Sequence, residues 1–380
     1  MINSLPNLSF VGLLGDLIVP VDSNLISKYI CEGYSLIKKY QSHISTRGDD
    51  YYRDESCEKI FCRLKVYFEY YEKLNCTDSF CSLPSKYILV DHLLSGLIRI
   101  IDTIISLDLD NHLVTAFINV IDSCAKELVF MLIGGDRVRE NINFDKLILP
   151  KDVSNLRPRR FMEGDNHILS LSSSLTSCVD EAYVGILFGG GSSAAIMAAY
   201  NNSQLNYIKF SNYDSLEMNS DKIWGSSISS KNTVCIVDDN CGTGKTLKKV
   251  KDIIDSEYHI SSKITAVEFH WEKYLRVHGY GHKDSIFSPD EFDYLSPWCF
   301  RHHKVVNDIM NNHYDGKAYH TSLNDWINYS ISTLSIIKDT SGIDFNINYL
   351  LEIRNIQNKD NSDVLNHISK NCSCSFCSKE

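Results

Sequence analysis

The chain has 380 residues, 43% of them hydrophobic and 23% charged, with only 7 prolines. That length accommodates two domains, or one with a large attachment, and the composition excludes a disordered or membrane-embedded chain. A formal net charge of −10 excludes any general attraction to nucleic acid, so such a partner would need a local basic patch.

The first 20 residues include an apolar stretch, but no basic start precedes it and Asp16 interrupts it, so it does not read as a signal peptide. Residues 23–134 carry helical periodicity. Leu25, Ile26, Tyr29, Ile30, Ile37 and Tyr40 recur on one face, followed by Ile60, Phe61, Leu64, Tyr67, Phe68 and Tyr71. Residues 87–107 are the most apolar long segment, yet they contain Asp91, His92, Arg99 and Asp102. Four such groups would be costly in a bilayer, so the segment is predicted to be a core helix, with no membrane as partner. A further helix is predicted over 112–131, where Leu113, Phe117, Val120, Ile121, Cys124 and Leu128 are spaced for burial. Residues 1–150 thus read as an all-α domain of four or five helices. The tyrosines of "YFEYYEKL" fit core packing better than base stacking. The 13 cysteines are odd in number and scattered, which predicts a reducing, cytoplasmic setting with mostly free, buried thiols.

Proline, glycine and charge combine in "LPKDVSNLRPRRFMEGD" (149–165), and the character of the chain changes there. Short apolar runs then alternate with helical stretches: 183–188, 193–202, 205–211, 233–239, 245–256 and 263–271. Strand, helix, strand, gap, strand, helix, strand predicts an α/β domain over 151–305, with a mainly parallel, Rossmann-like sheet flanked by helices. Residues 306–380 read as a helical C-terminal extension with a Cys-rich tail.

The stretch "VCIVDDNCGTGKTLKKV" (234–250) ends its apolar run in two acids and continues into Gly244, Lys245 and Thr246. An ATPase phosphate loop needs glycine five residues before Gly-Lys-Thr, and Asp239 occupies that position. Two carboxylates at a strand end would also repel a diphosphate at close range. They suit ribose hydroxyls instead, directly or through Mg2+, while a helix N-terminus with Thr243 and Thr246 holds one phosphate.

Four apolar residues, two acids, three variable residues and Thr-Gly-x-Thr resemble the phosphoribosyl pyrophosphate (PRPP) loop of type I phosphoribosyltransferases. A second stretch, "YVGILFGGGSSAAIMAAYNNSQLNYIKFSNYD" (183–214), resembles that family's first core strand, pyrophosphate loop, helix and second strand. The resemblance covers roughly residues 155–305. It implies transfer of phosphoribosyl from PRPP to a nucleobase-like nitrogen, with Mg2+ as cofactor. It assigns Asp238 and Asp239 to the ribose hydroxyls and metal, Thr243, Gly244, Lys245 and Thr246 to the 5-phosphate, and Gly189, Gly190, Gly191 and Ser192 to pyrophosphate, with Ser193 as a further donor. It also implies a flap over 215–232, with Lys222 as its phosphate contact, and a base-stacking aromatic, Trp298, in 288–300.

Two departures stand out. Phe188 occupies a place where many purine-salvage members have a basic residue, and Gly242 one where some have an aspartate that takes the proton of the base. Catalytic transferase and PRPP- or nucleotide-sensing module therefore both stay open. In the second, the helical half binds a protein or nucleic-acid partner, as in accessory proteins of bacterial anti-phage systems of the retron type. A homodimer is compatible with either. In the tail, His367, Cys372, Cys374 and Cys377 form His-x4-Cys-x-Cys-x2-Cys, a candidate zinc site.

Overall fold

The computed structural model describes residues 17–18, 55–75, 83–133, 141–158, 170, 182–187, 189–211, 221–228, 233–241, 244–269 and 310–311. The predicted helix around residues 25–40 lies outside them.

Among the described residues, three long helices stand between residues 17–18 and the main run of strands: α1 (Cys57–Asn75), α2 (Leu83–Ser106) and α3 (Asn111–Ile133). In α1, Ile60, Leu64, Tyr67, Phe68, Tyr71 and Leu74 recur every three or four residues and are buried, and Glu58 and Lys73 suit the helix dipole at its two ends. The tyrosines Tyr67 and Tyr71 are core residues, as expected. Helix α2 is buried on every side from residue 85 to 105, because α1 and α3 pack on it and the sheet lies beyond. Its chain turns at Asp108, whose φ of 48° is left-handed, and Asp110 opens α3 by accepting a hydrogen bond from the His112 N–H at 3.0 Å. A short helix, α4 (Lys151–Ser154), follows a turn in which Phe144 stacks on Phe61 and Phe68 at 5.4 and 5.5 Å. The segment closes on α1 where the Cys57 N–H donates to the Leu156 carbonyl at 2.8 Å.

Among the described residues, six strands form one sheet: β1 (Leu17–Ile18), β2 (Ala182–Leu187), β3 (Gln204–Lys209), β4 (Ile223–Gly225), β5 (Val234–Cys241) and β6 (Ser262–Phe269), in the order β1-β6-β5-β2-β3-β4. Every neighbouring pair is parallel except β3 with β4, so the mainly parallel α/β sheet expected from the sequence is present. The helices α5 (Gly190–Asn201) and α6 (Lys245–Glu257) connect β2 to β3 and β5 to β6. They cover opposite faces. Ala182, Val184, Ile186, Val234, Ile236 and Ile264 pack with Leu247, Val250 and Ile254 of α6. Tyr183, Leu187, Cys235, Val237, Leu205 and Tyr207 pack with α5, behind which lie α2 and α3.

Helix α5 is apolar or small throughout and buried from Gly190 to Ala199, which suits a helix with sheet on one side and helices on the other. One continuous cluster runs from α1 through α2, α3 and α5 to the sheet. The change near residue 150 is therefore one of element type, not a break in the core. Among the described residues no helix is long and apolar enough to cross a membrane.

Candidate functional site

From β2 the chain passes through α5 to β3 on one side, and from β5 through α6 to β6 on the other. Connections that diverge in this way open a crevice at the carboxyl ends of the two central strands. The ladders show the same opening: β2 and β5 are paired only as far as Gly185 and Val237, whereas β5 and β6 stay paired to Cys241 and Phe269.

Asp238 and Asp239 begin where the β2 pairing ends. They are not the last residues of the strand, as the sequence suggested, because β5 continues along β6 to Cys241. Alternation along an extended strand sends successive side chains to opposite faces. Cys235 and Val237 belong to the α5 side and Val234 and Ile236 to the α6 side, so Asp239 falls on the α5 side and Asp238 on the α6 side. Asp239 is buried and Asp238 half-buried. The Asp239 backbone N–H donates to Asp238 Oδ1 at 3.1 Å.

Two helix N-termini flank this pair. Gly244 precedes α6 with φ 73° and ψ 0°, a left-handed backbone suited to glycine. Its carbonyl accepts the Lys248 N–H at 2.9 Å, the first bond of the helix. Lys245 is exposed and Thr246 half-buried in the first turn. At α5, Gly189 stands at the cap and Gly190 presses on β5. A Cβ on Gly190 would lie inside the Val237 carbonyl oxygen and 2.8 Å from the Asp238 Cα. Neither helix has a side-chain cap or an acidic residue in its first turn, so both dipoles present their positive ends to the crevice. Two anion-favouring termini with carboxylates between them suit a ligand with two phosphate groups joined by a hydroxyl-bearing part. The carboxylates are also hard oxygen donors for a divalent cation.

Two further candidates, Ser192 and Ser193, follow Gly191 in the first turn of α5. Ser192 and Ser193 are buried, and Ser193 accepts a hydrogen bond from Ser170 at 3.1 Å. Lys222 does not reach the crevice. Part of the expected flap forms the edge strand β4, with Trp224 buried, and Lys222 donates to Asp108 at 3.2 Å and lies 3.5 Å from the Trp224 ring centre. Thr243, Trp298, His367, Cys372, Cys374 and Cys377 lie outside the described residues. Among those described, no three His, Cys, Asp or Glu side chains group to hold a metal. Burial pushes the Cys57 thiol up to about 11 despite a hydrogen bond from Thr103, and burial raises Cys124 too, which suits inert core thiols.

Three contacts around the loop were missed. The Tyr207 hydroxyl donates to the Gly191 carbonyl at 3.1 Å, Ile98 of α2 lies against Gly191, and Lys209 pairs with Asp102 at 2.8 Å, both nearly fully buried. The charges in the apolar runs 87–107 and 205–211 were the available signal, since a buried charge demands a partner. No protein-family model and no curated protein matches the chain.

Proposed function

We propose that the chain is a type I phosphoribosyltransferase-like protein that binds PRPP and transfers its phosphoribosyl group to a nucleobase-like nitrogen. The observation that carries this reading is the crevice itself: Asp238 and Asp239 between two helix N-termini without side-chain caps, one opening with Gly190 and Gly191 after Gly189 and the other preceded by Gly244. The order of elements, two strand-helix-strand units diverging from β2 and β5, supports the same family.

The α6 terminus, with Gly244, Lys245 and Thr246, binds the 5-phosphate, whose charge the helix dipole favours. The α5 terminus, with Gly189, Gly190 and Gly191, binds the pyrophosphate through backbone N–H groups. The ribose hydroxyls lie over β5 just beyond its pairing with β2, where Asp238 and Asp239 accept their hydrogen bonds. Both carboxylates have the oxygen donors that Mg2+ takes, and when bound the ion offsets charge on the departing pyrophosphate. In the reaction, a ring nitrogen forms a bond to C1 as the C1–O bond to pyrophosphate breaks, the electron pair of that bond leaves with pyrophosphate, and the nitrogen gives up its proton to solvent water. Donors already in place around the leaving group lower the cost of its charge.

One observation favours a second reading, a PRPP or nucleotide sensor. Gly242 puts no acid or base at the position immediately before Thr243-Gly244, so ligand recognition is better supported than proton transfer. Pyrophosphate release from PRPP and Mg2+ against a panel of nucleobases, with calorimetry on the same preparation, separates the two. Release with one base establishes the transferase, and binding without release supports the sensor. Replacing both Asp238 and Asp239 with Asn is expected to abolish PRPP binding, and retained affinity would remove the assignment.

A further inference from the structure

Tyr207 and Lys209 lie two residues apart on β3 and face the same side of the sheet. Gly185, the neighbour of Tyr207 on β2, makes room for the tyrosine ring: a Cβ there would come within 2.9 Å of Tyr207 Cδ1 and Cε1. The ring thereby spans β2, and its hydroxyl reaches the Gly191 carbonyl in the first turn of α5 at 3.1 Å. Lys209 reaches α2 instead. Its ammonium pairs with Asp102 Oδ1 at 2.8 Å, donates to the Asp102 carbonyl at 3.1 Å and also to the Ser106 hydroxyl. One helical turn before Asp102, Ile98 closes on Gly191 from the far side, 2.8 Å from where a Cβ would stand.

We propose that Tyr207 and Ile98 are positioning residues for the glycine turn that opens α5, and that α2, anchored to β3 by Lys209 and Asp102, is a wall of the phosphate site rather than part of a separate binding domain. A first helical turn built of glycine has little of its own to fix it, because Gly189, Gly190 and Gly191 carry no side chains and lose much freedom on ordering. Tyr207 fixes the carbonyl at Gly191, and Ile98 blocks the space into which the turn would relax. Together they hold the first-turn N–H groups in one direction. The proposal rests on the preceding reading only for the identity of the anion.

The test uses the full chain with Tyr207→Phe, which keeps the ring, and Ile98→Val, which removes one methyl group. Amide hydrogen exchange over residues 189–193 is measured first. Tyr207→Phe is expected to exchange at least about five-fold faster there, the equivalent of one hydrogen bond of roughly 1 kcal/mol, and Ile98→Val to exchange faster than the unaltered chain over the same residues, while the amides of α6 and β6 stay unchanged. Unchanged exchange at 189–193, or a rise spread evenly over the sheet as general destabilisation would give, overturns the positioning role. Inorganic pyrophosphate with Mg2+ is then titrated by calorimetry. An affinity about five-fold weaker in Tyr207→Phe than in the unaltered chain is the expected companion result. If the unaltered chain binds no pyrophosphate, the assignment of the ligand fails, and the exchange data alone still decide whether Tyr207 and Ile98 hold the loop.

Discussion

Gly190 rests on the backbone of Asp238: a Cβ added to it would stand 2.8 Å from the Asp238 Cα and closer still to the Val237 carbonyl oxygen. The first turn of α5 and the acidic end of β5 are thus in contact, although 48 residues separate them in sequence. Backbone atoms cannot rotate away as a side chain can, so Gly190→Ala has to displace either α5 or β5. A loss of about 1–3 kcal/mol, the range for overfilling a packed interior, is expected from urea denaturation. Gly189, with φ −55° and ψ −55°, has an ordinary right-handed backbone. Alanine there should shift the urea midpoint far less, and equal losses at the two positions would contradict the close approach of Gly190 to β5.

Lys209 and Asp102 are nearly fully buried partners. Removing one charge leaves the other in the core, which typically costs about 3–5 kcal/mol, whereas replacing both with apolar groups can be nearly neutral. Asp102→Leu and Lys209→Met are each expected to destabilise strongly, and the double variant to recover most of the loss. A double variant as unstable as the sum of the two singles would show that the pair is not what joins α2 to β3.

Asp255 predicts an acid-dependent effect. Burial works to raise its carboxyl, but hydrogen bonds from the Ser262 side chain, Lys251 and the Ser262 backbone outweigh burial and hold it below the ordinary value of 3.8. Its Oδ1 accepts from the Ser262 N–H at 2.9 Å and the Ser262 hydroxyl at 2.7 Å, tying the end of α6 to the start of β6. A lowered carboxyl contributes stability that is present above 3.8 and is lost as the pH falls through the folded-state value. Asp255→Asn should therefore lower the melting temperature at neutral pH and differ less from the parent as the pH drops below 3.8. A difference that is constant with pH would contradict this.

Cysteine chemistry tests the burial pattern of α1. Cys62 is exposed, while Cys57, Cys124 and Cys235 are buried. Alkylation of the native protein followed by peptide mapping should modify Cys62 quickly. Cys57, five residues earlier and raised to about 11, should stay unmodified until denaturant is added. Equal labelling of the two would mean that α1 does not pack as described.

The sequence by itself determined the local structure. Apolar runs, helical spacing and turn residues predicted β2, α5, β3, β5, α6 and β6 to within three residues at every boundary, and α3 equally well, while α2 begins four residues before its expected start. Those signals are local, since a buried strand or amphipathic helix writes its period into consecutive residues. The acids and glycines at fixed offsets around Asp238 and Gly190 were legible for the same reason, although Asp238 lies within β5 and Gly190 opens α5 instead of sitting in loops. Strand β4 was not: three residues within a polar stretch carry too short a period, and Trp224 is buried there only because β3 and α3 are beside it. Lys222 looked available for a ligand because nothing nearby in sequence announces Asp108 as its partner.

Only the tertiary structure decided that the helices of residues 57–133 share a core with the sheet and that α2 closes on the glycine loop. Each of these depends on which surfaces meet across a hundred residues or so. Residues such as Ile98 and Gly191 leave no mark on each other's sequence neighbours, because packing selects them for shape at a contact that exists only after the chain has folded.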